Sequence, residues 1–301
     1  MSHHAIRNIV AGTSLDLASD RVVARAAELA RESGARLHLA HAHALPMALY
    51  GAPAGLATVP PDLLEAERQV RRELLSQQLE RLDIAAEAVT SSQIDAGAPH
   101  RVILDAARNQ QADLIVLGGS EEGSFHLLGS NADRVLRKAT CPVWVVQSSE
   151  ALAPTSVVAP VDLSDIAAEC LSRGLDVLHS VLGSALPPVE ALLVLTAGDF
   201  EAEPGKSTAQ VEEAALAELT RFLAGLAPAL APAMTPAVRM GDVRAEILAH
   251  AAAKNSLLVL GTHGRSGFER FLLGSVAADV AAKSKQDVLI VPPAAAGDEA
   301  A

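Results

Sequence analysis

Four residues near the end of the chain, Gly261, Gly264, Gly274 and Ser275, stand at a spacing suited to holding an anion. They form the pattern G-x-x-G, nine intervening residues, then G-S, directly behind the apolar run from Ser256 to Leu260. Glycine has no Cβ, so its backbone turns with positive φ and its N–H approaches a bound group closely. A second glycine turn that opens onto a helix adds unpaired first-turn amides and the positive end of the helix dipole. Together these cradle a phosphate.

The same pattern occurs earlier in damaged form, as Leu117-Gly118-Gly119-Ser120-Glu121-Glu122-Gly123 followed by Leu127-Leu128-Gly129-Ser130. Aligned on its flanks, this copy is two residues shorter, with Glu121 about where Gly264 stands and Glu122 where Arg265 stands. A glutamate 4 Å from a phosphate is repelled by about 4 kcal/mol at an effective dielectric near 20, and less when solvated. The turns after the first strands differ as well. Pro160-Val161-Asp162-Leu163-Ser164 has a carboxylate where the earlier half has Ser14. Losing such a contact costs roughly 1 to 3 kcal/mol. The first half is therefore expected to bind poorly or not at all, unless its loop re-routes so that Gly119 or Gly123 serves instead. Asp162 alone also suits a helix N-cap, and Gly274 a plain turn.

The elements that would position these residues recur in both halves. Strand-like runs at Ile9 to Ser14 and Val157 to Asp162 each lead into an Ala-rich helical pattern, Ala18 to Ser33 and Ile166 to His179. Strands at Arg36 to Ala40 and Ala191 to Leu195 precede amphipathic segments at Pro61 to Leu82 and Thr208 to Leu226. After Gly97 or Gly241 come helices at Arg101 to Asn109 and Ala245 to Ala253, then strands at Leu114 to Leu117 and Leu257 to Leu260. A glycine turn, a helix and a last strand, Val143 to Val146 or Val288 to Val291, close each unit. Strands alternating with helices imply parallel pairing through right-handed crossovers. The expected fold is α/β, with two repeated doubly wound domains, residues 1–147 and 155–294, each a roughly five-stranded parallel sheet flanked by helices. The stretch from Gln147 to Pro154 reads as a linker, and Pro292 to Ala301 as a frayed tail.

With these motifs in place, the chain resembles a tandem member of the universal stress protein family, in both halves almost end to end. Gly261, Gly264, Gly274 and Ser275 match the family signature without a gap. The resemblance implies ATP as ligand, with Mg2+ as its companion ion, bound beyond the strand ends of the second half. There Pro160 and Asp162 would flank base and ribose, and the backbone of Leu195 would read the adenine edge. Gly261 would lie against the ribose, while Gly264, Gly274, Ser275 and Val276 would serve the phosphates, assisted by Arg265 and His263. It also implies that the domains pair antiparallel through their last strands, with Trp144 packed at that junction, and it leaves room for a further homodimer. The implied role is a nucleotide-dependent stress-response module. The alternatives are a slow ATPase or autophosphorylating enzyme using Ser275, and a scaffold without nucleotide.

Composition limits the other options. Half of the 301 residues are hydrophobic and only 2% are aromatic, so the core is aliphatic and fits layered α/β packing. A net charge of −12 disfavours nucleic acid and anionic membrane as partners. No apolar run reaches the ~18 residues of a membrane span, and no signal peptide is legible, so a reducing cytoplasm is the expected location. Cys141 and Cys170 lack metal-ligand spacing and read as small buried hydrophobes. His41 and His43 share a strand face while His38 points oppositely, which argues against a metal site. No Walker or dehydrogenase fingerprint is present, so no catalytic residue is assigned, and the sequence names no protein partner.

Overall fold

The computed structural model describes residues 5–44, 61–119, 129–147, 154–226, 234–262 and 273–293. The first lobe runs β1 (Asn8–Gly12), α1 (Leu17–Ser33), β2 (Arg36–His43), α2 (Pro61–Arg81), β3 (Val89–Ala96), α3 (Pro99–Asn109), β4 (Leu114–Gly118), α4 (Ser130–Leu136) and β5 (Val143–Val146). The second runs β6 (Ser156–Pro160), α5 (Asp165–Leu182), β7 (Val189–Leu195), α6 (Ala197–Glu201), α7 (Thr208–Ala224), β8 (Met234–Met240), α8 (Val243–Ala253), β9 (Ser256–Gly261), α9 (Ser275–Lys283) and β10 (Val288–Val291). The elements are the expected ones plus β3, β8 and the short α6.

Their formation follows from local chemistry. Helix α1 starts where the Asp16 carboxylate accepts from Ser19 N at 3.1 Å, and stops at Gly34, whose φ of 69° glycine adopts without the cost an L-residue bears. Between these caps Val22, Val23, Ala26, Leu29 and Ala30 recur at helical spacing and are buried. Helix α5 carries Gly174 in its middle, normally a cost of about 1 kcal/mol. Here a Cβ would stand 2.7 Å from Val259 Cγ1, so the glycine is what lets α5 lie close on the sheet.

All ten strands form one sheet in the order β3-β2-β1-β4-β5-β10-β9-β6-β7-β8. Every pairing is parallel except β5 with β10, which run antiparallel with Trp144 opposite Leu289. Each lobe is thus a doubly wound unit whose strand order reverses between its first and fourth strands. The lobes share a continuous core on each sheet face, one including Ile9, Trp144, Leu175 and Leu289, the other Val10, Val143, Leu258 and Ile290.

Polar groups finish the junction. Trp144 Nε1 donates to Asp287 Oδ2 at 2.9 Å, Gln147 N donates to Asp287 Oδ1 at 2.9 Å, and Arg25 Nε lies 3.5 Å from Asp287 Oδ2. Gln147, expected as the first residue of a linker, is instead built into the interface. Its side chain donates to the Ala281 carbonyl of α9 at 2.5 Å. The outer edges are β3 and β8, and Pro236 in β8 lacks an N–H that an incoming strand could use.

A half-buried ion pair on the second lobe makes its stability pH-dependent. Glu190 Oε2 accepts from Lys254 Nζ at 2.5 Å and lies 3.0 Å from His250 Nε2. Burial opposes ionisation of Glu190, but the hydrogen bonds from Lys254 and His250 outweigh it and hold the carboxyl below its ordinary value of 4.5. A depressed carboxylate stabilises the fold above the unfolded value and stops doing so as pH falls through the folded one. Melting temperature should therefore fall on acidification below about pH 4.5, and less steeply in Glu190→Gln. Superimposable pH profiles for parent and variant would remove Glu190 from the account.

Candidate functional site

In open α/β sheets, ligands lodge beyond the strand ends where the order reverses. In the second lobe that point lies between β6 and β9. Gly274 N donates to the Thr262 carbonyl at 2.6 Å and Thr262 N to the Val291 carbonyl at 3.1 Å, tying both ends of the glycine loop to the sheet. The result is a cleft of about 520 Å³, within the range of small-molecule sites. Pro160, Asp162, Leu195, Gly261, Gly274, Ser275 and Val276 all line it, with apolar walls from Val194, Val243 and Leu260. His263, Gly264 and Arg265 lie outside the described residues.

The turn after β6 fixes Asp162. Leu163 takes a left-handed φ of 62°, a conformation costing an L-residue roughly 1 to 2 kcal/mol. Asp162 Oδ1 accepts from Ser164 N at 3.1 Å and from Ser164 Oγ at 2.6 Å, which offsets that cost. The N-cap of α5 is Ser164, whose Oγ accepts from Ala167 N at 3.2 Å. The capping alternative for Asp162 is thereby corrected: two residues of spacing separate the capping group from the carboxylate, leaving the latter at the cleft wall.

At the opposite wall, Leu195 lies beyond Leu192, the last β7 residue paired with β6, so its backbone borders the cleft. Its carbonyl already accepts from Gly241 N at 2.9 Å. The Gly274 N–H, expected to face an anion, is likewise engaged by Thr262. Helix α9 begins without a side-chain cap, and its ladder starts with Ala278 N to the Gly274 carbonyl at 2.9 Å. The amides of Ser275, Val276 and Ala277 precede that ladder.

Two nearby residues escaped the sequence reading. Asp199 caps α6 reciprocally with Thr196 and lines the cleft near Leu195. Arg244, on the first turn of α8, donates through Nη2 to Ser275 Oγ at 3.2 Å. Neither belongs to the glycine pattern. The capping box T-x-x-D at 196–199 is the one sequence signal that could have located the first.

The first lobe has a larger cleft, about 950 Å³, at its own switch point between β1 and β4. Size does not decide which cleft suits a phosphate; the groups on the walls do. Leu15 repeats the left-handed turn with φ 64°, but the two polar residues have changed places. Ser14 Oγ donates to Asp16 Oδ1 at 2.7 Å, and Asp16 caps α1. The carboxylate is therefore transposed to the helix start rather than lost.

Beneath it, Thr13 Oγ1 donates to Gln78 Oε1 at 2.8 Å, and Gln78 Nε2 to Asp20 Oδ1 at 2.8 Å. Asp20 also takes two 2.7 Å bonds from Arg81. Glu121 and Glu122 lie outside the described residues. His38 bonds Ser91 at 2.8 Å and His41 the Thr13 carbonyl at 2.9 Å, as satisfied core histidines do. Among the described residues no three His, Cys, Asp or Glu side chains gather to hold a metal. Cys170 is buried, and burial pushes its thiol up to about 11.

Comparison with known proteins agrees with this fold. A universal stress protein of Mycobacterium tuberculosis is 29% identical over 196 residues, which cover 60% of this chain and 62% of that protein. The chain thus spans less than two thirds of the length of the curated relatives it matches first. A universal stress protein of Mycolicibacterium smegmatis is 28% identical over 305 residues, covering 95% of this chain and 97% of that one. The crystal structure of a universal stress protein from Archaeoglobus fulgidus shares the fold, with a TM-score of 0.63, 18% identity and 97% of each chain covered. Residues 5–147 and 155–292 each match the Universal stress protein family, and the chain belongs to it, once in each lobe.

Proposed function

We propose that this chain is a nucleotide-responsive regulatory module of the cytoplasm that binds ATP in its second lobe and not in its first. The observation that carries the reading is the convergence of Asp162, Gly261 and Ser275, far apart in sequence, on one cleft at the strand-order reversal. In this reading Pro160 and Asp162 hold the ribose end, the Leu195 backbone meets the adenine edge, and the α9 amides and the Ser275 hydroxyl hold phosphate. Gly264, Arg265 and His263 complete the phosphate loop, and Mg2+ travels with the phosphates. Nucleotide occupancy would bias conformation or association only through different affinities for two states. No helix among the described residues is long and apolar enough to cross a membrane.

Calorimetry on the full chain tests this. One ATP per chain is expected, and adenine nucleotide should be released when freshly purified protein is heat-denatured. Two equivalent sites, or no heat of binding at all, would overturn the assignment.

A further inference from the structure

The phosphate end of the second-lobe cleft is made of donors. Helix α8 has its own start satisfied, because Asp242 Oδ1 accepts from Ala245 N at 2.9 Å. Its second residue, Arg244, reaches across to α9. There Nε lies 3.5 Å from Asp279 Oδ2 while Nη2 donates to Ser275 Oγ at 3.2 Å. A guanidinium has no acceptor, so the direction of that bond is fixed: arginine donates and the serine oxygen accepts. The Ser275 proton is then available to donate elsewhere, beside the first-turn amides of Ser275 and Val276. The Ser275 hydroxyl and the α9 amides line the cleft, with the Arg244 charge behind the serine, and together they suit a ligand end that only accepts, which is a phosphate chain.

Asp279 is shared between Arg244 and Lys283, whose Nζ lies 2.9 Å away. The first lobe lacks both halves of the device. At the position of Arg244, second in its helix after the glycine turn, stands His100, and at the position of Asp279 stands Arg134. Burial, then the charges of Arg134, Lys138 and Arg101, push His100 below its ordinary value despite a bond with Asn131.

Resting on the nucleotide reading above, we propose that Arg244 is a specificity residue: it sets Ser275 as a donor and makes the second-lobe cleft select for the number of phosphates. It acts on the phosphate end alone and contributes nothing to adenosine.

The test is calorimetry on the full chain with adenosine, AMP, ADP and ATP. In the parent, affinity should rise along that series. Arg244→Gln should lose about tenfold or more for ATP while adenosine changes less than about twofold, and Arg244→Lys should recover part of the loss. Ser275→Ala combined with Arg244→Gln should cost less than the two single losses multiplied, because one group acts through the other. With its side chain 39% exposed, Arg244 should leave the melting temperature nearly unchanged when replaced. Unchanged ATP affinity in Arg244→Gln, or an equal loss for adenosine, would overturn the proposal. A parent that binds neither adenosine nor ATP would instead overturn the nucleotide reading itself.

Discussion

Exchanging two residues, in the double variant Asp162→Ser with Ser164→Asp, is expected to leave the second lobe folded and to weaken its binding of ATP at least tenfold. The first lobe already displays the outcome of this exchange. There Ser14 and Asp16 keep a 2.7 Å hydrogen bond, the intervening Leu15 keeps its left-handed φ of 64°, and Asp16 caps α1. Asp and Ser are about equally good N-caps, so α5 should start as before. What changes is the place of the carboxylate, moved from the cleft wall beside Gly261 to the end of a helix. A hydrogen bond from a ligand hydroxyl to a charged acceptor is worth about 1.5 to 3 kcal/mol, or roughly tenfold to a hundredfold in affinity.

The single variant Asp162→Ala answers less cleanly, because it also strips Ser164 N and Oγ of their shared acceptor. Calorimetry beside a thermal melt separates the effects. A variant that melts like the parent and still binds ATP with the parent's affinity would displace Asp162 from the site.

That exchange also shows where sequence reading stops. Ser14 could be seen to replace Asp162 by aligning the halves. That the acid had moved two residues on could not, because a cap and a cleft residue are told apart only by where the side chain points. The repeat and the strand ends were legible, since aliphatic runs behind glycine turns announce buried parallel strands; the antiparallel meeting of Val143–Val146 with Val288–Val291 followed from the family resemblance instead. Strands β3 and β8 were not. As edge strands they expose one side, and Thr90-Ser91-Ser92-Gln93 or Thr235-Pro236 does not read as buried β. Arg244 was invisible for a third reason. Its meeting with Ser275, 31 residues away, comes from packing of α8 on α9 and leaves no local pattern.

Asp287 is another residue that only the folded chain explains, and it carries the largest expected effect on stability. Asp287→Ala should lower unfolding free energy by about 3 kcal/mol. The carboxylate receives the Trp144 indole N–H and the Gln147 amide at 2.9 Å each, with Arg25 at 3.5 Å. Trp144 is 1% exposed, so its N–H would lose its acceptor where water does not reach. Arg25, 9% exposed, would keep Glu28 at 2.7 Å but lose its second carboxylate. Asp287→Asn keeps an oxygen for one donor and should cost less.

Because the chain has a single tryptophan, its fluorescence reports on the junction itself, while circular dichroism reports on both lobes. In the parent the two urea transitions should coincide, since both cores run through the β5–β10 pair. In Asp287→Ala the fluorescence transition should come first, as the lobes part before either unfolds. If both signals shift together by less than about 0.5 kcal/mol, the aliphatic layers alone hold the lobes together and the polar cluster merely fills the seam.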